Sequence, residues 1–294
     1  MIEQNKIYNE DCLLRMEKID SESIDCIMTD PPYLYLKNQK LDRPFDEQKF
    51  FSEAKRVLKK DGFIVLFGRG TSFYRWNCIL ADLGFNFKEE IIWNKLFNSS
   101  PVLPILRFHE TISIHTINGN INTNVKVPYL EQKEHKIDSI IGDINRIKSA
   151  LNNTTELDAM KNFLKDKIKP ISKKRNNKSN GCTIQPNSTG VYYVPASVLS
   201  TITEGTREKD IIEICHERYS RIHPTQKPAR LIERLLALVS KENDLVLDPF
   251  SGSGSTAVAC INSNRNYIGF EIDKEYYDLS IKRLKEYNNL FNQN

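Results

Sequence analysis

Two consecutive prolines, Pro31 and Pro32, stand directly after an alternating apolar segment, Ser23-Ile24-Asp25-Cys26-Ile27-Met28-Thr29. That segment reads as a buried strand. Proline offers no N–H to a ladder, so two in a row force the chain out of the sheet. The exit leaves Asp30, the Pro31 carbonyl and Tyr33 at the carboxyl end of a strand. In open α/β sheets ligands bind at that edge. These groups suit a flat base with an exocyclic amino group. Asp30 and the Pro31 carbonyl each accept one amino hydrogen, and Tyr33 stacks on the ring. Asp-Pro and Pro-Pro are also ordinary turn dipeptides, so the tetrapeptide alone decides nothing.

The flanking pattern alternates strand and helix. A polar loop runs to about Pro44. A helix is predicted from about Asp46 to Lys60, with Phe50, Ala54, Val57 and Leu58 on one stripe. Asp61-Gly62 stops it, and Phe63–Phe67 follows as a fully apolar strand. Gly68 and Gly70 mark a loop, Thr71 or Ser72 is expected to cap the next helix, and Gly84 ends it. Glu90–Trp93 and Thr111–Thr116 are further strands. The pattern resumes near Asp210. Pro228 opens a helix, Leu245–Asp248 and Tyr267–Glu271 are strands, and a last helix covers about Lys274 to Tyr287. This order predicts an α/β fold: a mostly parallel, twisted sheet with helices on both faces.

The alternation breaks at Asn118-Gly119-Asn120. Residues 120–206 hold 13 Lys and Arg against 8 Asp and Glu, a balance of +5, within a chain whose net charge is +4. Two amphipathic helices fit there, Ile137 to Leu151 and about Glu156 to Ile168. A basic loop with Lys173, Lys174, Arg175 and Lys178 follows, without apolar periodicity. The segment reads as an inserted domain between residues 1–119 and 207–294. Its charge suits a polyanion, with the four basic residues as candidate phosphate contacts. The six cysteines form no Cys-x-x-Cys pair, which predicts reduced thiols and no metal site. No apolar run approaches the roughly 18 residues needed to span a bilayer. The start, Met1-Ile-Glu-Gln-Asn-Lys6, lacks a basic and an apolar region, so a cytoplasmic, nucleoid-associated protein is expected.

Asp248-Pro-Phe-Ser-Gly-Ser-Gly-Ser-Thr256 follows an apolar strand and opens a helix. Gly252-x-Gly254-x-x-Ala257 fits the nucleotide-binding glycine fingerprint. Glu271 stands about 20 residues further on, where an acid holds ribose hydroxyls. This says "nucleoside-containing cofactor" and no more. His223-Pro-Thr-Gln-Lys-Pro228 brings Thr225, Gln226 and Lys227 to a helix amino end, which suits an amino-acid carboxylate.

In sequence order, Asp30-Pro31-Pro32-Tyr33, His223–Pro228 and Asp248–Thr256 resemble the motifs of the amino-DNA methyltransferases, β group. The resemblance covers about residues 5–117 and 207–287. It implies a Rossmann-like methyltransferase fold with permuted motif order, and S-adenosylmethionine as methyl donor. Asp248, Phe250, Ser251, Gly252, Ser253 and Gly254 would line the cofactor, Glu271 its ribose and Asp11 its adenine. Thr225, Gln226 and Lys227 would meet its methionine end. Trp93-Asn-Lys95 and Arg107-Phe-His-Glu110 resemble segments bordering the substrate. Residues 120–206 occupy the place of the target recognition domain. Double-stranded DNA is the implied partner; a restriction endonuclease and a homodimer stay open. In this family Asp at the first tetrapeptide position goes more often with adenine N6 and Ser with cytosine N4, which favours adenine. A nicotinamide-dependent oxidoreductase shares the glycine fingerprint, but leaves the Asp30 tetrapeptide and the basic insert unexplained. A non-catalytic DNA-binding protein would not need that tetrapeptide intact.

Overall fold

Strand β2 (Ile24–Thr29) lies at the centre of the sheet in the computed structural model, parallel to β3 (Leu58–Gly68) on one side and β9 (Leu245–Asp248) on the other. The structure describes residues 2–33, 42–97, 105–132, 204–215 and 222–291, with scattered residues between 137 and 166. The remaining strands of the large sheet are β1 (Lys6–Tyr8), β4 (Asn86–Asn94), β5 (His109–Thr116), β8 (Ile211–Glu213) and β10 (Asn266–Phe270). The order is β1-β10-β9-β2-β3-β5-β4-β8. All neighbours run parallel except β5, which is antiparallel to both β3 and β4.

A register slip between Ile24 and Cys26 lets Ile24 and Ile27, three residues apart, face the same core. Asp25 at the slip is held by Lys59 Nζ at 2.6 Å and accepts the Leu245 N–H at 2.9 Å. That core takes Phe50, Phe51 and Ala54 of α2 (Glu47–Val57) and Trp76 and Leu80 of α3 (Gly70–Asp82), with Cys12 and Met16 of α1 (Cys12–Met16). Leu231, Leu235 and Leu236 of α5 (Ala229–Val239) are also buried, as are Ala257, Val258 and Ala259 of α6 (Ser255–Asn262), and α7 (Lys274–Phe291) closes the unit.

Local differences from the sequence reading have physical causes. The helix expected to Lys60 ends at Val57, because Leu58 pairs with Ile24 and is buried in the sheet. Strand β3 therefore runs through Asp61-Gly62. Thr71 and Ser72, expected as caps, lie inside α3, and the Ser72 hydroxyl instead donates to the Tyr33 carbonyl at 2.7 Å. Gly84 does follow α3, with φ +84°.

Residues 2–123 and 209–291 of the described chain belong to this unit, and residues 124–208 form a second. In the second, β6 (Lys126–Val127) pairs antiparallel with β7 (Thr206–Arg207), and Lys126 is 2.6 Å from Glu204. Gly205 has φ +86°, and a Cβ there would lie 2.3 Å from the Val127 carbonyl oxygen. Helix α4 (Tyr129–Gln132) follows β6, and the described residues 137, 138, 140–142, 144 and 145 are helical. Lys173, Lys174, Arg175 and Lys178 lie outside the described residues.

Candidate active site

The carboxyl ends of β2, β9 and β10 open into one cavity of about 400 Å³. This lies within the size range of small-molecule sites, roughly 300–1,000 Å³. Its wall includes Asp11, the tetrapeptide Asp30-Pro31-Pro32-Tyr33, the segment Thr225-Gln226-Lys227, Asp248, Phe250, Ser251, Gly252, Ser253 and Glu271. Thus residues predicted at five separate places in the sequence, from Asp11 to Glu271, share one space. Gly254 stands outside that wall: it caps α6 at φ +71°, and a Cβ there would lie 3.3 Å from Ile7.

The glycine turn is held from both sides. Gly252 takes φ +49°, a region open to glycine at little cost. Its N–H donates to Glu271 Oε2, and the Asp273 N–H to Glu271 Oε1, both at 2.8 Å. Burial raises the Glu271 carboxyl above the usual carboxylate range, although these two N–H groups pull it down. Asp248 is buried, and burial pushes its carboxyl up to about 7 against the Thr256 and Phe250 bonds that favour its charge. The Phe250 ring packs against both Phe45 and Phe50, each 5.3 Å away, and those two rings touch each other at 5.5 Å. Asp11 caps α1 and accepts the Leu13 N–H at 2.7 Å.

The His223–Pro228 loop locks onto the glycine turn. The Ser255 hydroxyl donates to the Lys227 carbonyl at 2.7 Å and lies 3.0 Å from the Ser253 hydroxyl. Gln226 Oε1 accepts the Ile222 N–H at 3.1 Å. His223 packs edge-on against Tyr276 at 4.2 Å, and burial followed by the Lys227 charge lowers its imidazole to about 4.

At the tetrapeptide the cavity becomes ionic. Tyr33 donates its hydroxyl to Asp30 Oδ1, and the Lys227 ammonium bonds Asp30 Oδ2. The same ammonium lies 3.2 Å from Glu110 Oε2, whose other oxygen pairs with Lys95. Burial alone would raise the Glu110 carboxyl, but Lys227 and Lys95 override it and hold it near 2. Burial likewise opposes the Lys227 charge, and Asp30 and then Glu110 outweigh it, raising the ammonium above its ordinary value. The sequence reading expected Lys227 at an amino-acid carboxylate; its ammonium is instead turned to Asp30 and Glu110. Glu110 and Lys95 were legible only as members of bordering segments. Asp42 and Arg43, which also line the cavity, carry no motif that would have singled them out.

The geometry offers amide donors, carboxylates and a glycine turn beside a paired Asp30. A DNA methylase family model matches residues 24–282. The type II methyltransferase M.HinfI of Haemophilus influenzae is 28% identical, over 96% of this chain and 68% of its own length. The DNA adenine methyltransferase YhdJ of Escherichia coli (strain K12) is 27% identical, over 96% of this chain and 83% of its own. The PvuII DNA methyltransferase, named as cytosine-N4-specific, shares the fold with a TM-score of 0.59 at 16% identity, covering 100% of this chain and 93% of that one. With the family model spanning the central strand β2 through the first half of α7, the chain belongs to the N6/N4 DNA methylase family.

Proposed function

We propose that this protein transfers a methyl group from S-adenosylmethionine to the N6 atom of an adenine flipped out of duplex DNA. The observation that carries the reading is Asp30 at the exit of β2, in one cavity with the Gly252 turn and Glu271. The residues fit the cofactor. Gly252 supplies a close backbone approach, Glu271 an acid at the ribose, and Asp11 an acceptor for an adenine amino group. Thr225 and Gln226 border the amino-acid end, beside Ser251 and Ser253, while Asp248 and Phe250 line the floor. When bound, the cofactor supplies a sulfonium methyl, and its transfer leaves the bonding electron pair on a neutral thioether sulfur.

The chain's own groups do the rest. Adenine's exocyclic nitrogen is a weak nucleophile, because its lone pair is delocalised into the ring. Asp30 and the Pro31 carbonyl accept its two hydrogens and pull electron density onto nitrogen. Pro32 fixes the turn, and Tyr33 holds the Asp30 carboxylate through its hydroxyl while offering its ring for stacking. Asp30 holds the hydrogen that the nitrogen would shed once methylated, and would pass it as a proton to water. Positioning and electrostatics supply the rate. A base inside a duplex cannot reach this cavity, so it is extruded at a few kcal/mol. Residues 120–206 act as the target recognition domain, and Lys173, Lys174, Arg175 and Lys178 hold phosphates.

Asp30 at the first tetrapeptide position and the adenine specificity named for YhdJ support adenine. The cytosine-N4 enzyme PvuII on the same fold keeps cytosine N4 as the second reading. Nucleoside mass spectrometry of DNA from a host expressing this chain separates them. N6-methyladenine is expected; N4-methylcytosine would overturn the base assignment, and neither product would overturn the activity.

A further inference from the structure

Lys227 stands between two carboxylates in a chain of alternating charge, Lys95–Glu110–Lys227–Asp30. The members come from the residue after β4, from β5, from the loop before α5 and from the exit of β2. The Lys227 and Glu110 side chains are only 8% and 13% exposed, so solvent screens their interaction weakly. Facing Lys227 are Asp30, Glu110, His223 of its own loop and the Phe67 ring on β3, whose centroid is 5.2 Å from Nζ. As ionised groups, the four members sum to no net charge.

That balance matters for the reaction proposed above, on which this inference rests. Methyl transfer moves positive charge from sulfur onto the nitrogen held by Asp30. The Lys227 cation sits on the same carboxylate, one hydrogen bond further away. Left uncompensated, it would repel the charge that develops on nitrogen. We propose that Glu110 is a positioning residue, whose fixed negative charge cancels Lys227 so that the nitrogen gains its charge beside a neutral cluster. Lys95 holds Glu110 in place for this task.

Glu110→Gln keeps the shape and leaves the cluster at +1. A unit charge about 6 Å from the nitrogen, acting on roughly half a transferred charge at an effective permittivity near 20, slows the step by at most about tenfold, because the charge leaves a sulfur that feels the same cation. Single-turnover methyl transfer at saturating cofactor is therefore expected to fall by up to about tenfold near neutral pH, and cofactor affinity to fall as well, because the sulfonium is itself a cation. The loss should shrink as pH rises, because Lys227 with one carboxylate fewer gives up its proton earlier. Glu110→Asp, which keeps the charge, should retain most of the rate and the wild-type pH profile.

A second readout needs no turnover. In cofactor-free protein with carbon-13-labelled lysines, the Lys227 signal, assigned by its loss in Lys227→Arg, should titrate at lower pH in Glu110→Gln than in wild type. Wild-type turnover by Glu110→Gln, a loss equal at every pH and shared by Glu110→Asp, or an unmoved Lys227 titration would each overturn the inference. Should Glu110→Gln not fold, Glu110→Asp decides: a folded enzyme slowed 100-fold or more refutes the charge argument. Absence of methyl transfer by the wild type would refute the proposed reaction instead, while the lysine titration would still report on the Glu110–Lys227 pair.

Discussion

Asp248 is an acid kept from water at the floor of the cavity, and Asp248→Asn exposes the consequence. Burial pushes its carboxyl to about 7, while an unfolded aspartate titrates near 3.9. Between those two values the folded protein holds a proton that the unfolded chain has released. The group's contribution to stability is therefore intact below about pH 4, falls as pH rises through the window, and levels off above pH 7. Three units correspond to about 4 kcal/mol, an upper limit because neighbouring Asp30 and Glu271 share in the shift. Asn has nearly the same shape and an oxygen for the Phe250 N–H, which lies 3.1 Å from Asp248 Oδ1, but it has no proton to lose. At about 2 °C per kcal/mol for a chain of this size, the variant should melt up to roughly 8 °C higher than wild type near pH 8. Near pH 5 the gap should narrow to roughly 3 °C, and it should close near pH 4. Scanning calorimetry at pH 5, 6, 7 and 8 provides the curves, and other titrating groups cancel in the difference. Parallel melting curves for variant and wild type would refute a buried, proton-holding Asp248.

Asp30→Ala should abolish methyl transfer while leaving most cofactor binding. Loss of one positioned acceptor costs about 2.7–4 kcal/mol of barrier by analogy with an oxyanion-hole donor, and near-normal single-turnover rates in the folded variant would remove Asp30 from the mechanism. Glu271→Ala should weaken S-adenosylmethionine binding by roughly 1.5–3 kcal/mol. Because Glu271 also anchors the Gly252 and Asp273 N–H groups, of which Gln can accept only one, melting curves of Glu271→Ala and Glu271→Gln report the loosened turn beside the calorimetry, and unchanged affinity in both variants would move the ribose site elsewhere. Changing Lys173, Lys174, Arg175 and Lys178 together to Ser should weaken binding to every duplex alike and flatten the salt dependence by about 0.9 per lost phosphate contact. Fluorescence anisotropy over a salt series reads this: an unchanged slope returns the loop to solvent, and an altered site preference makes it a reader of bases.

What could be read from the residues was punctuation. Pro31-Pro32 marks the end of β2 because missing N–H groups are a local property, and the Gly252 turn announces itself because positive φ is. Strand direction is not local. Alternating strand and helix suggested parallel neighbours, and β5 is antiparallel because it returns directly beside β3. Strand β1 has three residues, too few for any periodicity, and exists because β10 pairs with it. The Ser72 hydroxyl looks like a cap in sequence and serves Tyr33 in space. The alternation of Lys95, Glu110, Lys227 and Asp30 joins four segments, so no spacing rule could have found it.

The sheet order also sets a timetable for the nascent chain. Strand β2 needs β9 beside it, and Ile27 pairs with Leu247. Strand β1 waits longer, since Tyr8 pairs with Phe270. A ribosome adding about 5–20 residues per second takes roughly 13–50 s to span that interval. Until β9 is made, one edge of β2, with Cys26 and Ile27, has no native neighbour. Contacts so distant in sequence also slow the search for the native state. The cavity, whose walls come from β2 near the start and β9 and β10 near the end of the chain, is therefore among the last parts of the molecule to form, and a chain truncated before β9 would retain Asp30 without a site around it.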